Sequence, residues 1–225
     1  ARIDDPKTRQ IIIDEIIERI LFDRGGGHPK NIFISKSSWN TSMEGKNLAE
    51  LCVERNLEPS PYNAAIVVFE IIKGGGATAV YHAINSDDVD RIMQHPMTSI
   101  ASDGPITVFG VGSPHPRTYG TFARVLGRYV RDRNILSLEE AIRKMTSLPA
   151  HVLSINKRGL LREGYFADIT IFDPETVIDR ATFESPHKYA TGINTVLVNG
   201  VIVVENGLHN GNRPGRVLRG PGYDL

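Results

Sequence analysis

The sequence predicts an α/β chain that ends in a small β unit, and three observations lead there. Apolar residues recur at three- and four-residue steps in several stretches, each closed by glycine or proline. Short β-branched runs lie between those stretches, giving strand, helix, strand, helix, strand, the pattern of parallel βα units. Near Asn156 the helical period gives way to two-residue alternation and an Asn-Gly hairpin signal. Residues 1–155 therefore read as the βα part and residues 156–225 as the β part.

Pro6 opens a helix in which Ile11, Ile12, Ile16, Ile20 and Leu21 form the apolar side, ended by Gly25-Gly26-Gly27. Asn31–Lys36 reads as a short buried strand, and 36–45 as its loop. Asn47–Asn56 is a second helix with Leu48, Leu51 and Cys52 on one face. Ser60-Pro61 is a capping serine with proline at the first helical position, opening a third helix through Ile72. Thr78–Ile84 is the next strand. Asn85–Asp88 suits a helix start, where acids meet free N–H groups, and Val89, Ile92 and Met93 give that helix its apolar side. Thr98–Gly104 then reads as a third strand that runs out in an acid and a glycine turn.

A long Gly- and Pro-rich loop follows, of the kind that is usually functional or mobile. Thr118–Arg133 is expected to be helical with Phe122, Val125, Leu126 and Tyr129 inward. Ser137–Glu140 is a capping-box pattern for another helix with Ala141, Ile142 and Met145 inward. Pro149–Leu153 reads as a turn. Ala167–Phe172 alternates as a strand, and Asn194–Val198 with Val201–Glu205 forms a hairpin around Asn199-Gly200.

Composition narrows the function classes. The 225 residues are 40% hydrophobic and 23% charged with a formal net charge of zero, so electrostatic attraction to nucleic acid is not expected. One cysteine, Cys52, excludes an internal disulfide framework and fits a reducing compartment, so a cytoplasmic location is expected. The longest apolar runs, such as Ala64–Phe69, are far short of the ~18 residues of a membrane span. The first residues carry neither a start methionine nor a signal-peptide pattern, as expected of a chain that starts partway through something longer.

In barrel enzymes chemistry sits where strands run out, because the loops that follow are held by a rigid wall. Asp103 has that position. Ser102-Asp103-Gly104, with His115-Pro116-Arg117 and Tyr119-Gly120-Thr121-Phe122, resembles the N-acyl-D-amino-acid deacylases (D-aminoacylases) of the metal-dependent amidohydrolase superfamily. Met145-Thr146, Pro149-Ala150, Arg158-Gly159, Gly164, Ala167-Asp168 and Phe172-Asp173 are similar to that superfamily's passage from barrel to β-sandwich, and Val196–Gly200 to its final hairpin. The resemblance implies the C-terminal part of a (β/α)8 TIM barrel, about its last three strands, followed by the C-terminal strands of a small β-sandwich. It implies hydrolysis of the amide of a small-molecule N-acyl amino acid, with one or two Zn2+ ions in the complete enzyme. The family's His-x-His, its metal-bridging residue and its later histidine ligands have no counterpart here, and the seven histidines are scattered singly. A missing N-terminal half or a partner chain is therefore expected to complete the site, and the isolated chain is expected to be inactive and to bind no metal by itself.

By the same resemblance Asp103 binds the metal and acts as general base, later returning the proton to the leaving nitrogen. Bound Zn2+ lowers the pKa of water to about 7, so a neighbouring carboxylate can complete its deprotonation. The plainer reading of Asp103 is a residue capping the Gly104 turn. Arg117 pairs with the free carboxylate of the substrate through its planar fork, which Lys cannot reproduce. The plainer reading is a solvated arginine at a helix start, a poor place for a cation. Tyr81 is a wall of the substrate side-chain pocket, or an ordinary packing aromatic. His82 and His115 are structural, Cys52 is an inert core thiol, and Trp39 and Met43 could form a lid. Two rivals stay open: a cyclic-amide hydrolase of the hydantoinase or dihydroorotase type, which Arg117 argues against, and a non-catalytic truncated chain or barrel-completing subunit.

Overall fold

The computed structural model describes residues 5–220 and 222–223. It divides into two compact units, one of Ala1–Ser86, Ile106–His115 and Thr182–His187, the other of Asp87–Pro105, Pro116–Ala181 and Lys188–Leu225.

In the first unit α1 (Pro6–Phe22) starts where Asp5 accepts the Thr8 N–H at 2.8 Å, with Pro6 at the first helical position. Strand β1 (Ile32–Lys36) is followed by α2 (Leu48–Val53) and α3 (Pro61–Gly74). Asn47 accepts the Glu50 N–H while the Glu50 carboxylate accepts the Asn47 N–H, a full capping box, and Ser60 caps α3. Ile20, Ile32, Ile34, Met43, Leu48, Leu51, Cys52, Ala64, Val67 and Ile71 make one core. Burial pushes the Cys52 thiol pKa up, as an inert core cysteine requires.

Strand β2 (Thr78–Tyr81) is shorter than expected and pairs with β1 antiparallel, from Ile32 opposite Tyr81 to Lys36 opposite Thr78. This corrects the parallel expectation. The connection from β1 to β2 holds both α2 and α3 rather than the one helix usual in a crossover between parallel strands, and β2 pairs with β1 from the opposite direction. The lid reading of Trp39 and Met43 is also overturned. Met43 is 2% exposed in the core, and Trp39 lies on the glycine turn after α3, its Nε1–H donating to Gly76 O at 3.0 Å.

The second unit holds α4 (Ser86–Gln94), α5 (Arg117–Arg124), α6 (Leu138–Met145) and α7 (Ser147–Val152). α5 runs on as a π-helix over Val125–Asp132. Its inward side is Gly120, Ala123, Val125, Leu126 and Gly127, not Phe122, which is exposed. The reason is what packs there: a Cβ on Gly120 would stand 2.7 Å from Asp179 Cβ. The Asp179 carboxylate is buried and takes Arg124 Nη1 and Arg128 Nε, each at 2.8 Å. The helix thus turns its small residues to the partner segment and its long ones outward. The stretch expected as a turn at Pro149–Leu153 is α7.

No strand forms at 98–104, a second correction. Ile100 N–H goes to Lys144 O at 3.0 Å, at the end of α6, rather than to a neighbouring strand. Strands β3 (Ile169–Phe172), β4 (Ile193–Val198), β5 (Val201–Glu205) and β6 (Leu208–His209) form an antiparallel sheet in that order. Asn199 and Gly200 both have positive φ, 51° and 82°, the requirement of the two-residue hairpin turn their sequence announces. Among the described residues no helix is long and apolar enough to cross a membrane.

Candidate functional site

Three side chains were expected to carry the site, and the second unit brings two of them together. Arg117 Nη2 lies 2.8 Å from Asp103 Oδ2. Arg117 is the first residue of α5, where an unpaired cation would be opposed by the helix dipole, and the Asp103 carboxylate offsets that field. The turn reading of Asp103 does not hold for its carboxylate: Gly104 N–H is accepted by Ser102 Oγ at 3.2 Å, leaving the acid to the arginine. Asp103 is itself in the left-handed region with φ 46°, a conformation that Asp tolerates better than most residues and that recurs where side chains are aimed at a task.

Gly104 allows the approach. A Cβ there would be 3.0 Å from Thr118 Cα and 3.2 Å from Arg117 O, tighter than most Cβ contacts, so a bare backbone lets the Asp103 turn lie against the first residues of α5 without a shift of its neighbours. The segment leading to Asp103 is held from below by α6. Lys144, 0% exposed, donates its ammonium to His95 O and, at 3.2 Å, to Thr98 O, with Glu140 Oε1 3.5 Å away. The Asp103 and Arg117 side chains remain 85% and 42% exposed, so the pair is open to a ligand.

Tyr81 lies in the first unit, at the end of β2, where Arg24 stands 5.7 Å over its ring. In the same unit His187 fastens the long loop. Its Nδ1 accepts Gly110 N–H at 3.1 Å, which makes Nε2 the protonated nitrogen that donates to Gly112 O at 2.8 Å. His82 lies between Phe33 and Phe183 with its ring tilted by 38° and 51° to theirs, and His115 meets Phe183 edge-on. His28, His95 and His209 each spend Nδ1 on a local backbone N–H.

Sequence reasoning missed Lys144, Ser102 and His187. Lys144 had a usable signal: with Ala141, Met145 and Leu148 it recurs at apolar spacing, so a lysine stood where the pattern called for a buried residue. Ser102 had one as well, a serine two residues before the glycine whose N–H it accepts, whereas His187 had none, because its partners lie about 75 residues away.

Among the described residues no group of three or more His, Cys, Asp or Glu side chains could hold a metal ion. Asp103 is a single exposed carboxylate with an arginine on it, whereas a zinc site needs three or four protein donors. The described residues by themselves do not fit the ion.

Against known families, the model described as "Amidohydrolase family" matches residues 64–204. The chain belongs to the amidohydrolase family. Among its amidohydrolase relatives, the N-acyl-D-glutamate deacylase of Alcaligenes xylosoxydans xylosoxydans is 46% identical over 143 residues, 64% of this chain and 28% of the relative. The D-aminoacylase of the same organism is 43% identical over 176 residues, 78% of this chain and 34% of the relative. A crystal structure of N-acyl-D-glutamate deacylase from Bordetella bronchiseptica, complexed with zinc and a phosphonate inhibitor that mimics the tetrahedral intermediate, is 38% identical. It superposes with a TM-score of 0.74 over 91% of this chain and 39% of that one. This amidohydrolase chain thus spans about a third of the length of the curated relatives it matches.

Proposed function

We propose that the complete protein hydrolyses the amide bond of N-acyl-D-amino acids, and that this chain supplies the carboxylate clamp and the proton-carrying acid. The observation that carries the reading is the 2.8 Å contact between Arg117 and Asp103. The carboxylate of a substrate competes for the same guanidinium. When it takes the fork, Asp103 is released beside the bound molecule, so substrate binding and freeing of the base are one event. Asp103 then takes a proton from the water that attacks the acyl carbon and returns it to the nitrogen as the C–N bond breaks. The products are a carboxylate and a free amino acid.

The relatives support this reading, since those reported above are named for deacylation of D-amino acids. Zinc is proposed for the complete protein because the Bordetella bronchiseptica enzyme holds it. Its remaining ligands would come from the roughly two thirds of the relatives' length that this chain does not span, or from a partner chain. In that assembly residues 1–155 contribute to a (β/α)8 barrel, in which the 98–104 segment delivers Asp103, and residues 156–225 contribute sandwich strands. Tyr81 is proposed as a wall of the substrate side-chain pocket.

The test is turnover by the complete protein of N-acetyl-D-glutamate, its L enantiomer and hydantoin. Hydrolysis of the D substrate is expected. Turnover of hydantoin with none of either acyl amino acid would replace this reading with that of a cyclic-amide hydrolase.

A further inference from the structure

A cavity of about 340 Å³, lined by neither Asp103 nor Arg117, opens in the second unit between α7 and the loop that follows it. Ligand cavities run ~300–1,000 Å³, so this one suits a small molecule. Its walls are set by the backbone. At Gly159, with φ 80°, a Cβ would stand 2.7 Å from Ala150 Cβ and 2.9 Å from Thr146 O, so the loop lies directly on the start of α7. Ile155 N–H donates to Ala150 O at 2.8 Å, and Phe166 N–H to Lys157 O at 3.0 Å, which brings Tyr165 to the rim. Between these contacts Ser154 and Lys157 take left-handed φ values of 54° and 57°, uncommon for such residues.

The lining is one-sided in charge. It includes His151, Lys157 and Arg158 with the hydroxyls of Ser147, Ser154 and Tyr165, and neither Asp nor Glu. Among the described residues, the side chains of Ser147, His151, Ser154, Lys157 and Tyr165 are spent on no hydrogen bond or ion pair. They are open to solvent in part or in full. The end of α7 does not oppose an anion with free carbonyls there. Pro149 O, Ala150 O and His151 O are taken by the N–H groups of Leu153, Ile155 and Ser154.

We propose that this cavity binds a tetrahedral oxyanion, either inorganic phosphate or the phosphate of a small monoester. A planar carboxylate is best met by a guanidinium fork, and the one fork here is committed: Arg158 gives its two terminal nitrogens to Asp168 and Asn199. What remains is an ammonium, an imidazole and three hydroxyls, each a single-point donor approaching from a different wall. That set suits oxygens disposed around a centre, with Lys157 as the point charge.

Calorimetric titration of the complete protein with inorganic phosphate, glycerol 1-phosphate and acetate, at low salt to limit screening, decides it. At least one phosphate ligand is expected to saturate with a Kd of about 1 mM or tighter, and the tighter of the two names the source. Acetate should bind at least ~10-fold more weakly. Lys157→Asn keeps a residue that tolerates the left-handed conformation and should weaken the phosphate Kd on the order of 10-fold or more. Tyr165→Phe should weaken it about 3- to 10-fold. Circular dichroism should show both variants folded, because neither polar group serves the fold. Absence of phosphate binding, acetate binding as tight as phosphate, or a Kd unchanged in both variants overturns the proposal. So does a Kd lost in Arg117→Lys and kept in Lys157→Asn, which would put the phosphate at the clamp.

Discussion

Replacing Lys144 by Met should loosen the segment that presents Asp103. The side chain is fully buried, and its ammonium serves His95 O and Thr98 O, with Glu140 Oε1 at 3.5 Å. Met preserves most of the stem and its packing, so the change isolates the charge and the hydrogen bonds. Losing the partner of a buried acceptor costs ~1–3 kcal/mol. His95 is exposed and Thr98 half-buried, so water can reach their carbonyls in part and each loss lies near the lower end. Two such losses, reduced by the desolvation of an ammonium no longer buried, leave a net destabilisation of about 2 kcal/mol. For a domain of this size that is about 4–8 °C in Tm. Thermal unfolding measures the total, and hydrogen exchange locates it, with faster exchange expected at Ile100 N–H, whose acceptor is Lys144 O. A Tm within 1 °C of wild type, roughly the resolution of a shift of a few tenths of a kcal/mol, would show that Lys144 does not hold this segment.

Other outcomes follow from the same geometry. In the complete protein Asp103→Asn should lower kcat by about 10²–10⁴-fold with the fold intact by circular dichroism; a normal rate removes it from the proton path. Arg117→Lys should mainly raise KM for carboxylate-bearing substrates, and an equal rise for amide-capped ones would argue against the clamp. Glu140 gives a pH signature. The bidentate hydrogen bonds from Arg143, Nε at 2.7 Å and Nη2 at 2.8 Å, are the chief cause holding its carboxyl at about 2 instead of 4.5. A carboxyl depressed in the folded state stabilises above its unfolded pKa, and that contribution is lost as pH falls from about 4.5 towards 2. Glu140→Gln should flatten urea stability across that window; an unchanged slope would show that the pair does not form in solution.

Much of the fold was legible because its signals are local. Ser60-Pro61, Ser137 and Asn199-Gly200 each place a hydrogen-bonding or φ-restricted group within three residues of the backbone it serves, and each of these boundaries came out as read, whereas the helix expected over Asn47–Asn56 ends at Val53. The second side of the Ser137 box was misread, because Glu140 turned to Arg143 instead of reaching back. The inward side of α5 failed for a longer-range reason: Phe122 follows the apolar period, but Asp179, far along the chain, needs the space above Gly120.

By itself the sequence determined the helices other than α7, the terminal hairpin, the family resemblance, and the two residues, Asp103 and Arg117, whose chemistry that resemblance singles out. Only the tertiary structure decided that β1 and β2 run antiparallel and that the 98–104 segment gives its backbone to α6 rather than to a strand. It also decided that acid and arginine meet at 2.8 Å, with a bare glycine that lets the acid's turn lie against the start of α5. The physical reason is one of range. Caps and turns are satisfied by neighbours in sequence, whereas strand direction, the partner of a buried ammonium and the meeting of two charges depend on where distant segments come to rest.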